Sequence, residues 1–150
     1  MSTIEENTIE LRIPSRSEYV SIARAMVTDL AQKMALSASA IEDVQVAVSE
    51  ACANVVCHAY TASEICNSGI LVRCTAMDGQ LVMEVADDGC GFTEAVYRSR
   101  VNSDRDGGFG LLLIRSLMDH VSLHSSPDHG TIVRMIKQKN LARTTLVTPF

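Results

Sequence analysis

The chain reads as an α+β fold, a two-layer sandwich with helices on one face of a mixed sheet. Three observations predict it. Apolar and polar residues alternate over residues 9–13, the mark of a half-buried strand. Apolar residues recur at helical spacing over residues 41–55. Asp78-Gly79 separates two runs rich in Val, Leu and Ile, as the turn of a two-residue hairpin does.

The elements follow in chain order. Ile9, Leu11 and Ile13 form the first strand, and Pro14 ends it. Ser15-Arg-Ser-Glu18 has the form of a capping box, in which Ser and Glu satisfy free backbone N–H groups reciprocally. It predicts a helix to about Met34. Ser39-Ala-Ile-Glu42 repeats the pattern and predicts a second helix to about Ala59. There Ile41, Val44, Val48, Ala51 and Val55 make one stripe. Residues 70–77 and 81–86 are strands around the Asp78-Gly79 turn, where both positions require positive φ. Residues 92–107 carry charges, little periodicity and a glycine end, which reads as a mobile loop. Leu111 to Met118 is helical. Val121–Ser125 and Thr131–Ile136 are two closing strands. The expected order is strand, two helices, hairpin, loop, helix, hairpin. It makes a single domain over residues 1–150, with a core of about 8–137. The polar tail, 138–150, is expected to fray.

Composition excludes several classes. A 47% apolar fraction over 150 residues supports a packed core and not a disordered chain. The net charge is −5 and no stripe of Lys or Arg is present, so nucleic acid is not a direct ligand. No apolar stretch approaches the roughly 18 residues of a membrane span. Met1-Ser-Thr-Ile-Glu-Glu lacks the basic and apolar regions of a signal peptide. Five cysteines without a CxxC pair fit a reducing cytoplasm better than disulfides or zinc. Cys52, Cys57, Cys66 and Cys74 read as small core residues, while Cys90 lies in a glycine loop.

The chemistry-bearing residues fall in three places. Glu50, Asn54 and His58 recur every four residues, so they share one sector of the second helix. A carboxylate and a carboxamide among Val, Ala and Cys are costly to bury without partners. Glu50 could take a proton from a hydroxyl, and Asn54 offers magnesium a hard oxygen. The alternative for both is a polar pair that cross-links nearby backbone. His58 is also readable as a helix-end histidine.

Asp87 ends a strand before Gly89 and Gly91. A carboxylate there can accept a proton of an exocyclic amine, and glycines let backbone approach a base closely. An ordinary turn has the same composition. Asp88 reads as solvent-facing or as helping to hold the turn. Gly107, Gly108 and Gly110 precede a helix, whose first N–H groups bind phosphate; a flexible hinge is the other reading. No Walker loop or eukaryotic-type kinase motif is present. Arg98, Arg100 and Arg105 lie in the expected loop, where a guanidinium could close over a γ-phosphate or remain solvated. Thr131 follows Gly130 and could hydrogen-bond the base side of a pocket.

In order and spacing these motifs resemble a known superfamily. Glu50-x-x-x-Asn54, Asp87-x-Gly89-x-Gly91, Gly108-x-Gly110 and Gly130-Thr131 look like the N, G1 and G2 boxes and terminal Gly-Thr of the GHKL ATPases, which include gyrase and the histidine kinases. Pro14-Ser-Arg-Ser-Glu-Tyr19, Ala47-Val-Ser-Glu-Ala-Cys-Ala-Asn54, His58-Ala-Tyr60, Val85-Ala-Asp87 and Leu117-Met-Asp-His-Val121 are similar to the RsbW/SpoIIAB group of anti-sigma-factor serine kinases. The resemblance spans roughly residues 8 to 137.

It implies a Bergerat-type sandwich that binds ATP or ADP with Mg²⁺. It implies Glu50 as catalytic base, Asn54 as metal ligand and Asp87 as adenine reader. Gly89, Gly91, Gly108, Gly110 and Thr131 would shape the pocket, and Gly107, Phe109, Arg105 and His58 complete the expected nucleotide-side set. Arg24 would match the family's partner-contacting arginine. The implied partners are a sigma factor, a small anti-anti-sigma (STAS-type) protein phosphorylated on serine, and a second copy in a homodimer. Asp106 departs from the pattern, because some relatives carry a basic residue just before the second glycine box. A nucleotide-dependent binding module without kinase activity, and the detached ATP domain of a histidine kinase, are the alternatives.

Overall fold

The computed structural model describes residues 7–58, 69–89, 108–126 and 129–139. Strand β1 spans Thr8–Pro14 and is followed by a 3-10 turn, Ser17–Tyr19. Helices α1 (Val20–Lys33) and α2 (Ala38–His58) come next. Strands β2 (Gly69–Met77) and β3 (Gln80–Asp87) form the central hairpin. Helix α3 (Gly108–Leu117) and strands β4 (His120–Ser126) and β5 (Gly130–Gln138) complete the fold.

The element order matches the sequence expectation, but the sheet is not mixed. Its order is β1-β2-β3-β5-β4, and all four pairings are antiparallel. The reason is topological. The crossover through α3 does bring β4 back parallel to β3. Strand β5 then inserts between them and pairs antiparallel with both.

The hairpin turn forms as its residues dictate. Asp78 has φ 50° and Gly79 φ 74°, the left-handed pair that a two-residue turn needs. Both capping boxes are displaced. The 3-10 turn starts at Ser17 after Arg16, and no side chain caps it. Tyr19 precedes α1, again without a side-chain cap. Ser15 is instead buried, and Glu18 reaches Arg16 at 3.9 Å. For α2 the cap is Ser37, two residues before the expected Ser39, with its hydroxyl accepting from the Ala40 N–H at 3.1 Å.

The core lies between the sheet and the helix layer. The stripe on α2 is buried as expected at Val44, Val48, Ala51 and Val55, with Ala47 and Cys52 beside it, while Ile41 is only half-buried against the core. Ala23, Val27 and Ala31 of α1 face it, small enough to let the helices close up. Ile70, Leu81, Met83 and Met135 fill the sheet side, and Ile114 anchors α3. Truncating Ile114 to Ala would cost about 3 kcal/mol. Burial pushes the thiols of Cys52 and Cys74 up to about 12, so both are inert core residues. Cys57 departs from expectation: it lies on the outward side of α2 and is exposed.

Lys137 joins three elements. Its ammonium reaches Asp43 of α2 at 2.9 Å and the Leu117 carbonyl at the end of α3 at 2.6 Å. On the open face of the sheet, register sets Glu10, Arg73, Glu84 and Arg134 side by side across four strands. Arg73 pairs with Glu10 at 2.6 Å and with Glu84 at 3.3 Å. Among the described residues, no helix is long and apolar enough to cross a membrane.

Candidate functional site

Two groups of polar residues stand at the edge of the core. The first is built by strand register. Asp87 is the last residue of β3 and faces Thr131 of β5. Its carboxylate is buried and accepts the Gly89 N–H at 2.8 Å. Burial pushes its pKa above the ordinary carboxylate value; the N–H groups of Gly89 and Thr131 oppose that shift, and the charge of Asp88 adds to it. Asp88 itself is exposed, as expected. The Thr131 hydroxyl is 2.8 Å from that of Ser125 on β4.

Gly130 makes this arrangement possible. It has φ +86°, and a Cβ there would stand 2.0 Å from the Asp87 carbonyl oxygen. No side chain fits. The backbone of β5 therefore passes directly against the chain that carries the acid.

The second group is built by helix packing. Glu50 and Asn54 lie one turn apart on α2, and the first turn of α3 packs over them. A methyl group on Gly110 would stand 3.0 Å from Glu50 Oε2 and 3.3 Å from Asn54 Oδ1. Glycine thus leaves room for both side chains beneath α3. The Asn54 Nδ2 is buried and has no hydrogen-bond partner among the described residues. Such an orphan costs on the order of 1–3 kcal/mol unless something supplies its partner. Oxygen and nitrogen of an amide are assigned from their surroundings, so either atom of Asn54 can take that position. With the oxygen there it is a hard ligand for Mg²⁺; with the nitrogen there it donates to a phosphate oxygen. The residues therefore fit a magnesium nucleotide. Among the described residues no cluster of His, Cys, Asp and Glu could hold a metal by itself. A cation here would need oxygens from the ligand as well.

Arg24 of α1 is exposed, and its Nε donates to Ser49 Oγ at 3.0 Å. Ser49 is the neighbour of Glu50. Thr28 and Gln45 repeat the link one turn along, at 2.9 Å. A cavity of about 400 Å³ opens beside Glu50, lined by Gly110, Leu112, Leu113 and Ser116.

The structure brings Glu50, Asn54 and Gly110 together, and separately Asp87, Gly89 and Thr131. Gly91, Gly107, Arg98, Arg100, Arg105, Asp106, Cys66 and Cys90 lie outside the described residues, as do the expected mobile loop and residues 140–150 of the tail expected to fray. The start of that tail departs from expectation: Gln138 ends β5, and the Lys139 N–H donates to the Gly79 carbonyl at 2.8 Å. His58 and Phe109 are described as helix backbone alone, as is Gly108. Two participants were not singled out from sequence: Ser125, against Thr131, and Gly130 as a steric requirement. A glycine directly before a strand residue that faces an acid was the available signal for the second.

The chain matches the histidine kinase-like ATPase domain family over residues 13–137. It is 38% identical over 145 residues to the serine-protein kinase RsbW of Bacillus licheniformis, covering 90% of this chain and 88% of that protein. The anti-sigma F factor of Caldanaerobacter subterraneus is 32% identical, with 87% of this chain and 93% of the relative covered. Among solved structures, the RsbU and RsbW domains of a Mycobacterium tuberculosis protein superpose with TM-score 0.62 at 21% identity. That match covers 87% of this chain and 32% of the larger one. The catalytic domain of the histidine kinase ThkA superposes with TM-score 0.55 at 11% identity, over 87% of this chain and 96% of the other. At such identities the likeness concerns the fold.

Proposed function

The chain belongs to the RsbW family of serine-protein kinases, and from that premise we propose that it binds ATP·Mg²⁺ between α2 and the glycine-rich start of α3. It moves the γ-phosphoryl group to a serine of a small anti-anti-sigma protein of STAS type, and it sequesters a sigma factor. One observation carries this reading. Gly110 lies against both Glu50 and Asn54, so the glycine-rich first turn of α3 and a carboxylate–carboxamide pair more than fifty residues apart form one locus.

The roles follow from chemistry. Asp87, held by two backbone N–H groups, is an acceptor aimed at the exocyclic amine of adenine. Gly89 and Thr131 hold that acceptor, and the family resemblance assigns Gly91 to the same pocket. Asn54 is the protein ligand for the cation, which when bound neutralises phosphate charge. Gly108, Gly110 and the first free N–H groups of α3 suit the phosphates, and the family resemblance adds Gly107, Phe109, Arg105 and His58 to the nucleotide-binding set. Glu50 takes the proton of the acceptor serine hydroxyl. Phosphoryl transfer asks mostly for positioning and charge neutralisation, and this set of groups is suited to both.

Arg24 belongs to the partner surface. Its bond to Ser49 puts that surface next to Glu50 in the chain. The working unit is a cytoplasmic homodimer of single-domain chains, with a core of about residues 8–137. The charges on the open sheet face support the dimer. Laying the row Glu10, Arg73, Glu84, Arg134 antiparallel against a second copy sets every charge opposite its counter-charge.

Calorimetry with ATP·Mg²⁺, and transfer of labelled phosphate to the acceptor, test the reading. Wild-type protein is expected to bind nucleotide and label the acceptor. Glu50→Ala should still bind nucleotide but label nothing; full transfer by that variant removes Glu50 from the mechanism. Nucleotide binding with no labelling by the wild type leaves a nucleotide-dependent binding module.

A further inference from the structure

We propose that the groove beside Glu50 on α3 receives the serine-bearing segment of the protein acceptor, with Leu112 and Leu113 as its apolar wall. The inference rests on the kinase reading above and adds where the protein substrate lies.

The groove, about 400 Å³, is lined by Glu50, Gly110, Leu112, Leu113 and Ser116. Its described lining includes none of Asn54, Asp87, Gly130 or Thr131. Helix α3 is buried along Leu111 and Ile114, as is Met118 just after it, yet Leu112 is 44% and Leu113 38% exposed. Two neighbouring leucines turned outward next to a carboxylate have no use for a nucleotide's phosphates. They suit an apolar side chain carried beside the reacting hydroxyl, which a polypeptide brings and a free hydroxyl compound does not. Ser116 is uncharged, and its hydroxyl donates to the Leu113 carbonyl at 2.7 Å. Val46 of α2, also exposed at 39%, lies one helical turn before Glu50. A segment laid here sets its serine at Glu50 and an apolar neighbour against Leu112 and Leu113. Continuity with the proton-accepting carboxylate selects this occupant over the others.

The test uses the full chain, labelled ATP, and the small anti-anti-sigma protein encoded in the same genome as the probe. The double variant Leu112→Asp/Leu113→Asp is expected to bind ATP within twofold of wild type and to keep its circular dichroism spectrum. Its KM for the acceptor should rise at least tenfold, with kcat within about threefold. Leu112→Met/Leu113→Met should restore the wild-type KM. Ser116→Arg, which crowds the same groove and leaves both leucines intact, should raise KM alike. An unchanged KM in both the double variant and Ser116→Arg overturns the inference while the kinase reading stands. So does loss of sigma-factor capture with normal transfer, which gives the patch to that partner. A shift from dimer to monomer at unchanged KM overturns it equally, by giving the patch to a second copy. Wild-type protein that labels no acceptor ends the kinase reading, and this inference with it.

Discussion

The strand group, Asp87 with Gly130 and Thr131, and the helix group, Glu50 with Asn54 and Gly110, differ in what their polar atoms already possess. The Asp87 carboxylate is gripped by two N–H groups of the backbone, and Gly130 is fixed by φ and by contact with a carbonyl. Nothing there can shift without breaking sheet register. The helix group has side chains in contact with a glycine, and a buried amide nitrogen still lacks its partner among the described residues. One half is complete before any ligand arrives, and the other is completed by it. Rigidity at one end suits recognition of a fixed shape such as a base; incompleteness at the other suits phosphates and a cation.

The two glycines give the largest contrast. Gly130→Ala sets a Cβ into a carbonyl oxygen and forces positive φ, so it should cost about 3 kcal/mol or more and lower Tm by near 10 °C. Thermal denaturation checks this, and a normal melt would mean that the strand group is as yielding as the helix group. Gly110→Ala meets the movable end of Glu50 instead and gains helix propensity. Its stability should be unchanged or higher by up to about 1 kcal/mol, while phosphotransfer falls severalfold as Glu50 is displaced.

Asp87→Asn separates recognition from stability. Removing the charge should weaken ATP binding by roughly 10- to 100-fold, the equivalent of one charged hydrogen bond, read by calorimetry. Stability without nucleotide should not fall. A carboxyl whose folded pKa is raised binds its proton more tightly when folded, so its charge opposes folding above the unfolded pKa. Wild-type stability should therefore decline as pH rises from about 4 through the folded pKa of Asp87, and this part of the decline should vanish in Asp87→Asn. Unchanged pH dependence in the variant would assign the decline to other groups.

Asn54→Ala should have the smallest effect on the melt, within about 1 kcal/mol, because it removes an unsatisfied donor along with its packing. It should abolish the magnesium dependence of nucleotide binding. Retention of that dependence would leave the helix group without its proposed cation.

Local patterns were legible where one element decides them. The Asp78-Gly79 turn, the α2 stripe and the alternation in β1 each depend on residues close in sequence. Caps were less so, because Ser37 and Ser39 compete two residues apart; the S-x-x-E pattern selects the second, but the hydrogen bond forms at the first. The wholly antiparallel sheet was not legible, since the insertion of β5 between β3 and β4 is a long-range choice. Cys57 shows the same limit at one position: a small residue next to a core stripe reads as core until the helix's rotation is known. In the site, residue types pointed to Glu50, Asn54 and Asp87. Their grouping needed Gly110 to meet α2 and Gly130 to meet β3, contacts that no local window contains.

Strand β3 runs from the tight turn at Gln80 to the acid at Asp87, roughly 25 Å at the usual rise per residue. Length changes are therefore unequal along it. An insertion between residues 81 and 87 would move the acid to the wrong face and break its alignment with Thr131. A dye or affinity handle attached at exposed Asp78 would sit at the remote edge, where it could report binding without disturbing it.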